Sequence, residues 1–244
     1  MTHPKKQRLD MMLVSRGLAP TRQKAQAVIM AGMVLVNGQL ADKAGMLVRP
    51  DAPVTVKQGP RYVSRGGEKL EHALRCFHLD VQGAIALDVG ASTGGFTDCL
   101  LQHGASRVYG IDVGRGQMHQ RLLSDARVVS FEQINAHHPF TLPEQTAFAT
   151  VDVSFISLTK VLPNVAPHLR LGGWLVCLVK PQFEAGRSRV GKGGVVKDPL
   201  LHGAVLAEII TWAVRQGLRV RGVTASPLEG DAGNREFFLL LQRS

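Results

Sequence analysis

The first sixty residues combine two helical patterns of apolar positions with a short extended run. Apolar residues recur at helical spacing over residues 8–16, and Gly17 then favours a helix end. A second helix is predicted to begin at Thr21, a residue type that caps helices, and to stop before Gly32. The following MVLVNG predicts a strand that enters a tight Asn-Gly turn. A small α+β domain is therefore expected here.

From residue 67 onward, extended apolar runs alternate with helical patterns. Helices are predicted over 67–77, 94–103, 157–169 and 199–216. Strands are predicted at AIALDV, RVYGIDV, RVVSF, FATVDV, WLVCLV, RVRGVTA and EFFLLL. This alternation predicts an α/β domain with a mainly parallel, doubly wound, Rossmann-like sheet. The last two strands are joined by the non-helical PLEGDAGNR, so the final strand is expected to be antiparallel and at or near an edge.

A stretch rich in glycine and turn signals, GPRYVSRGG, separates the two patterns. The predicted division is therefore residues 1–59 for the first domain, 60–66 for a linker and 67–244 for the second domain.

The charge is unevenly distributed along the chain. Lysine and arginine number 29 against 19 aspartates and glutamates, which gives a net charge of +10. Residues 1–60 alone contain nine of these cations and only three acids. A basic face of this kind favours a polyanionic partner, although a basic surface can also serve solubility alone.

Other features restrict the class of protein. The three cysteines lie far apart and form no C-x-x-C pair, so neither a disulfide framework nor a zinc site is predicted. The charged start is not followed by the apolar run of a signal peptide. The apolar stretch GGWLVCLV is far shorter than the ~18 residues of a spanning helix. We therefore expect a cytoplasmic protein without stable membrane association.

The segment LDVGASTGGFTD, residues 87–98, predicts a strand, a glycine-rich turn and the start of a helix. Glycines at Gly90, Gly94 and Gly95 would let the backbone approach a ligand, and Asp112 at the end of the next strand could bind a ribose diol. The spacing differs from G-x-G-x-x-G. It therefore favours a nucleoside cofactor such as S-adenosylmethionine over a dinucleotide, the alternative being a tight turn without a ligand.

Four charged residues, Lys69, Asp152, Lys180 and Glu236, lie at the edges of apolar or turn-forming segments. Three of these positions are predicted strand ends, and open α/β sheets collect their chemistry at the carboxyl ends of strands. A lysine among other charges can act as a base near neutral pH. Taken singly, Asp152 could instead cap a helix, and Lys69 and Glu236 could form an exposed pair of little consequence.

Six motifs in order, SRGGEKL, DVGASTGGFTD, VDVSFISL, LVKPQFEAG, VGKGGVV and GNREFFL, resemble the TlyA-type family, whose members carry the names hemolysin and ribosomal RNA 2′-O-methyltransferase. Residues 8–38 resemble the small RNA-binding domain named after ribosomal protein S-four. Residues 64–244 resemble an FtsJ-like 2′-O-methyltransferase. The resemblance implies 2′-O-methylation of cytidine in 16S and/or 23S ribosomal RNA with S-adenosyl-L-methionine as cofactor and ribosomal subunits, not DNA, as partner. It implies no metal.

The resemblance also implies that Lys69, Asp152, Lys180 and Glu236 form the catalytic tetrad of this methyltransferase class, and the chemistry of the reaction assigns each a role. Lys180 is the expected base, Asp152 would orient it, and Lys69 with Glu236 would position the ribose hydroxyl. The expected cofactor-binding residues are Gly90, Ser92, Thr93, Gly94, Gly95, Phe96, Asp112 and Ile134. The expected RNA-binding residues are Arg8, Arg16, Arg22, Lys24, Lys43 and Arg65. The stretch GRSRVGKGGVVKDP predicts a loop whose cations could hold RNA phosphates.

Two alternative functions remain open on the sequence alone. One is a non-catalytic RNA-binding or ribosome-assembly factor that keeps the fold, against which the complete set of four charged residues argues. The other is a membrane-active hemolysin, which neither a signal peptide nor a spanning segment supports.

Overall fold

The structure, a computed structural model, describes residues 5–57, 59–186, 188–191 and 193–244. The chain divides into a first unit, which extends to Arg61, and a second unit, Tyr62–Ser244. Arg187 and Lys192, two cations of the predicted phosphate-holding loop, lie outside the described residues.

Within its described residues, the first unit contains two helices and two small antiparallel sheets. Its elements are β1 Gln7–Arg8, α1 Leu9–Ser15, α2 Arg22–Met30, β2 Val34–Val36, β3 Gln39–Ala41, β4 Leu47–Val48 and β5 Val54–Val56. Strand β1 pairs with β4, and β2 lies between β3 and β5. Apolar faces of both helices pack on the sheets in a core that includes Leu9, Leu13 and Ile29.

Local sequence signals account for these elements. The Thr21 hydroxyl accepts a hydrogen bond from the backbone N–H of Lys24 and so caps α2. Asn37 and Gly38 both have positive φ, 51° and 77°, as the two central residues of a type I′ hairpin turn require. The predicted helices, strand and turn of this region are confirmed.

The second unit is built on a seven-stranded sheet. Its strands are β6 Ile85–Val89, β7 Arg107–Ile111, β8 Val128–Phe131, β9 Thr146–Val151, β10 Leu169–Val179, β11 Leu218–Ala225 and β12 Phe237–Arg243. Its helices are α3 Arg65–Cys76, α4 Gly95–Gln102, α5 Gln120–Leu123, α6 Leu158–Val165, α7 Pro181–Glu184 and α8 Pro199–Arg215, with 3₁₀ turns at Ala166–His168 and Asp231–Gly233.

The strand order is β11-β12-β10-β9-β6-β7-β8. Strands β6 to β10 are parallel, and β12 is antiparallel to both of its neighbours, β10 and β11. The predicted Rossmann-like class and the antiparallel final strand near an edge are confirmed. Helices on both faces bury two apolar layers, so central strands such as β10 are apolar on both sides.

The topology also fixes where a ligand is expected. The chain adds β7 and β8 on one side of β6 and then returns to place β9 on the other side. The carboxyl ends of β6 and β9 therefore border the switch point, the position at which open α/β sheets bind ligands.

Several element boundaries differ from the predictions. The helix predicted over 157–169 is α6 followed by a 3₁₀ turn that contains Pro167, and β10 already begins at Leu169. Proline lacks the N–H that would extend the α-helix, which explains the early end. Helix α3 begins at Arg65, inside the predicted linker. The four-residue helices α5 and α7 were not predicted. No helix in the described part of the chain is long and apolar enough to span a membrane.

Candidate active site

The turn after β6 brings the ends of two strands into close contact. Gly90 has a φ of 81°, and a Cβ at this position would overlap the carbonyl oxygen of Asp152. The Asp152 N–H donates to the carbonyl of Val89 at 2.9 Å. Only glycine combines this conformation with this approach, so Gly90 is required for the geometry of the turn.

The next two glycines of the turn pack against protein. Gly94 is the left-handed residue before α4, and a Cβ there would overlap the side chain of Leu122. A Cβ on Gly95 would overlap the hydroxyl of Ser64. Gly95 lines a cavity, whereas Gly94 is not among the lining residues. Of the predicted cofactor-binding residues, Gly94 therefore lies on the side of the turn that packs against Leu122, away from the cavity.

Two cavities adjoin at this turn. The larger, of about 380 Å³, is lined by four predicted cofactor-binding residues, Gly90, Ser92, Asp112 and Ile134, together with apolar side chains. The smaller, of about 210 Å³, is lined by Gly90, Ser92, Thr93, Gly95, Phe96, Arg65, Lys69 and Asp152, among others. Since Gly90, Ser92 and Asp152 line both, the two cavities form one crevice at the switch point.

Asp112 follows β7 directly and ties the strand end to the turn. Its Oδ2 accepts from the backbone N–H of Ser92 at 2.8 Å, and its Oδ1 accepts from that of Gly114 at 2.7 Å. A carboxylate oxygen has two lone pairs, so each can accept a further hydrogen bond from the crevice. The arrangement fits an acceptor for hydroxyl groups.

Lys69 and Glu236 form an ion pair at the edge of the smaller cavity. Lys69 Nζ lies 2.7 Å from Oε2 of Glu236, and the two side chains are 12% and 3% exposed. Lys69 is carried by α3, while Glu236 precedes β12. Gly230 makes room for the carboxylate, since a Cβ there would overlap Oε1 of Glu236. A pair this buried holds both charges in a fixed place.

Lys180 and Asp152 form a second ion pair. Both follow strands, β10 and β9, at their carboxyl ends, and Nζ lies 2.6 Å from Oδ1. This close approach lacks hydrogen-bond geometry, and the buried Oδ1 accepts no hydrogen bond within the described part of the chain. The ammonium instead donates to Oγ of Ser154 at 2.9 Å. Ser154 is thus a contact of Lys180 that sequence reasoning missed, although it lies within the VDVSF motif.

The two pairs meet in the crevice because Lys69 and Asp152 line the same cavity. The structure therefore brings all four predicted residues to one place. Strand β12 is antiparallel to β10, so the first residues of β12 lie beside the carboxyl ends of β9 and β10. An acid at that position completes the group.

Asp88, two residues before Gly90, lies fully buried below the turn and was not predicted. Its carboxylate accepts hydrogen bonds from the hydroxyls of Thr97 at 2.7 Å and Thr150 at 2.8 Å. Burial raises the pKa of Asp88 to about 6, and the negative charge of Asp152 acts in the same direction. Asp88 connects β6, α4 and β9 beneath the crevice.

The predicted RNA-binding residues of the first unit are exposed but have different partners. Arg8 and Arg22 both contact Asp10, whereas Arg16 donates to backbone carbonyls of Ala52 at 2.9 Å and of Pro50 at 2.6 Å. Arg16 therefore also holds a turn of the first unit in place. Lys24 and Lys43 are exposed. In the second unit, the exposed Arg65 lines the smaller cavity.

Comparison with known proteins identifies both units. Residues 62–243 match the FtsJ-like methyltransferase family, and residues 7–54 match the S4 domain. YqxC of Bacillus subtilis is 50% identical over 97% of this chain and 86% of its own length. TlyA of Mycobacterium tuberculosis, named as a 16S/23S rRNA (cytidine-2′-O)-methyltransferase, is 43% identical over 96% of this chain and 89% of its own. Hemolysin A of Brachyspira hyodysenteriae is 42% identical over 94% of this chain and 97% of its own length.

A solved structure from Streptococcus thermophilus has the same fold. It matches with a TM-score of 0.74 and 44% identity, and the match covers 98% of this chain and 89% of that chain. The family resemblance inferred from the six motifs is confirmed by these matches.

Proposed function

The chain belongs to the FtsJ-like methyltransferase family, and from this membership we propose that it methylates the ribose 2′-hydroxyl of cytidine in ribosomal RNA with S-adenosyl-L-methionine as methyl donor. The observation that carries the proposal is that two ion pairs, Lys69–Glu236 and Lys180–Asp152, each place one member, Lys69 and Asp152, in the lining of the crevice at the switch point of the sheet. Relatives that cover most of this chain include one named for this reaction.

The crevice suits S-adenosylmethionine in its chemistry. Apolar residues of the larger cavity, including Val113, Ile134 and Ile156, suit an adenine ring. Asp112 offers acceptors for ribose hydroxyls, and the turn at Gly90 lets the cofactor approach the backbone. When bound, this cofactor supplies an electrophilic methyl group on a sulfonium.

The four charged residues have separate tasks in the proposed reaction. In its free-amine form, reached when the ammonium paired with Asp152 releases its proton, Lys180 accepts the proton of the 2′-hydroxyl at Nζ as the hydroxyl oxygen attacks the methyl group. Asp152 and Ser154 hold Nζ in place from two sides. The paired Lys69 is positioned by Glu236 to hold the hydroxyl oxygen in line. The chain thus provides alignment and a proton acceptor.

The substrate class is supported by the S4 domain and by the basic first unit. The exposed ring of Phe155, 90% accessible, lies at the larger cavity, 4.9 Å from that of Phe183. Exposed aromatic rings suit stacking on an unpaired base. We therefore take ribosomal RNA within a ribosomal subunit as the substrate.

A methyl-transfer assay on ribosomal subunits tests the proposed function. Small and large subunits that lack the modification are incubated with the full chain and tritium-labelled S-adenosylmethionine, and the RNA is digested to nucleosides. Label in 2′-O-methylcytidine is the expected result. Absence of label from both subunits, or label on a base, would contradict the proposal.

Variants of Lys180 test its assignment as base. Lys180→Ala should lower the methylation rate by about 100-fold or more, because a base acts in the transition state, while the Kd of S-adenosylmethionine measured by calorimetry stays nearly unchanged. Lys180→Arg should also fail, since a guanidinium does not release its proton. Lys160→Ala, at an exposed lysine of α6, is the matched control and should retain full activity. Substantial activity in either Lys180 variant would remove this residue from the role.

A further inference from the structure

Asp10 is a fully buried carboxylate in the first unit, and three side chains converge on it. Arg8 donates from Nε and Nη2 at 3.1 and 3.0 Å, as a two-pronged pair. Arg22 donates from Nε and Gln26 from Nε2, each at 3.0 Å. The Asp10 side chain is 0% exposed, whereas those of Arg8 and Arg22 are 46% and 54% exposed.

The burial of Asp10 is tolerated because its charge is fully paired. The guanidinium of Arg8, with further donors from Gln26 and Arg22, holds the pKa of Asp10 well below its usual range. The carboxylate is thus ionised at neutral pH, where its negative charge attracts both guanidiniums.

This carboxylate also determines the spacing of the two arginines. Nη2 of Arg8 and Nε of Arg22 both lie 3.0 Å from the same oxygen, Oδ2, so these nitrogens are at most about 6 Å apart. Two like charges so close would repel each other without the anion between them. Asp10 therefore fixes an exposed pair of guanidiniums that long, flexible side chains would not form alone.

We propose that Asp10 is a positioning residue for RNA, holding Arg8 and Arg22 ready to bind a backbone phosphate together. The inference rests on the proposed function, since it takes ribosomal RNA as the partner. A guanidinium that is already oriented loses less side-chain entropy when it pairs with phosphate, which strengthens binding.

Neutralising Asp10 distinguishes positioning from net charge, because the two effects have opposite signs. Asp10→Asn adds one positive unit to a basic surface, so charge alone predicts tighter RNA binding. Loss of positioning predicts weaker binding. Asp51→Asn is the matched control: it makes the same change in charge in the same unit, at a residue that is 64% exposed and paired with Arg49.

The experiment uses the full chain and unmodified ribosomal subunits. The Kd is measured at several salt concentrations, together with KM and kcat for methylation. Asp10→Asn should raise Kd and KM about ten-fold, leave kcat at saturating subunits nearly unchanged, and reduce the salt slope by about one to two. Asp51→Asn should bind as tightly as wild type or more tightly. If Asp10→Asn behaves like Asp51→Asn, the inference is overturned.

A second variant covers the case in which Asp10→Asn impairs folding of the first unit, as monitored by circular dichroism. Arg8→Lys keeps the net charge but cannot reproduce the two-pronged pair with Asp10. Positioning predicts that Arg8→Lys weakens binding several-fold, whereas wild-type affinity would overturn the inference. Where both variants fold, their effects should be less than additive in the double variant, since they disrupt one arrangement.

The wild-type measurement separates the two levels of the argument. Failure of the wild-type chain to methylate either subunit would refute the proposed function itself. Methylation by wild type, with Asp10→Asn matching Asp51→Asn, would refute the positioning role alone.

Discussion

Burial of the Asp88 carboxylate makes the free energy of unfolding depend on pH. Its pKa of about 6 in the folded chain lies above the ordinary 3.8, so between about pH 4 and pH 6 the folded state holds a proton that the unfolded state releases. The contribution of Asp88 to the free energy of unfolding is therefore fully present below pH 4, falls as the pH rises to 6, and is constant above. The loss amounts to at most about 3 kcal/mol.

Asp88→Asn should remove this dependence. The asparagine side chain keeps an acceptor and a polar group opposite Thr97 and Thr150. Because it has no carboxyl to titrate, the free energy of unfolding of the variant relative to that of wild type should rise between pH 4 and pH 6 and level off above. Urea unfolding followed by tryptophan fluorescence reports on the second unit alone, because both tryptophans, Trp174 and Trp212, lie there. An equal stability difference at pH 4.5 and pH 7 would refute this account of Asp88.

Asp112 is expected to bind the cofactor while also organising the turn. Asp112→Ala removes the acceptor of two backbone N–H groups and of the ribose hydroxyls, so the binding of S-adenosylmethionine should weaken by about 1 to 3 kcal/mol. Calorimetry measures the effect. Glu208→Ala, at an exposed acid paired with Arg189, is the control and should bind as wild type. Unchanged affinity in Asp112→Ala would exclude Asp112 from the cofactor site.

At the scale of elements, two helical glycines should respond to alanine in opposite ways. Gly67 in α3 faces the buried ring of Tyr62, which a Cβ would overlap. Gly203 in α8 is exposed, with open space around its Cβ position. Alanine is favoured over glycine in a helix by about 1 kcal/mol, but overpacking costs about 1 to 3 kcal/mol. Gly203→Ala should therefore stabilise the second unit, and Gly67→Ala should destabilise it.

Urea unfolding followed by tryptophan fluorescence checks both signs. Gly67→Ala should also reduce methylation, since α3 carries Lys69 two residues further on. If Gly67→Ala is as stable as wild type, the packing of α3 on Tyr62 does not limit the position of this helix.

The helices and strands with long patterns of apolar residues could be predicted from the sequence. The shortest helices and individual side-chain contacts could not, because they depend on how the chain turns locally. All seven strands of the large sheet were predicted because they are apolar runs bounded by turns. The helices α5 and α7 have four residues each, too few to show a period. The contact of Ser154 with Lys180 depends on how the chain turns after β9. Asp88 looked like an ordinary strand residue, because its burial arises from α4 and β9 packing around it.

At the scale of the whole molecule, the order of the strands assembles the crevice. Lys69 and Glu236 are 167 residues apart in sequence, yet they are hydrogen-bonded because β12 inserts antiparallel between β10 and β11. A parallel β12 would start beside the amino ends of β9 and β10, and Glu236 would then lie far from their carboxyl ends. The reversal of the last strand is therefore a requirement of the site.

The uneven charge of the chain predicts a division of labour between the units. Residues 1–60 hold nine cations and three acids, a net +6 of the total +10, and the first unit has its own apolar core. We predict that a chain lacking residues 1–60 folds, binds S-adenosylmethionine with wild-type affinity, and methylates ribosomal subunits poorly at physiological salt. The cations of the first unit would pair with RNA phosphates, so their removal should lower affinity and flatten its dependence on salt.

Measuring the Kd for subunits against salt concentration, in the full and the shortened chain, tests this division. For the full chain, the Kd for subunits should rise steeply as the salt concentration rises. For the shortened chain, the Kd should be higher at low salt and should rise less steeply. Calorimetry with S-adenosylmethionine serves as the folding control, because the residues of the crevice all lie in the second unit. If the shortened chain methylates subunits as fast as the full chain at physiological salt, the first unit is not the RNA anchor, and its excess of positive charge has another cause.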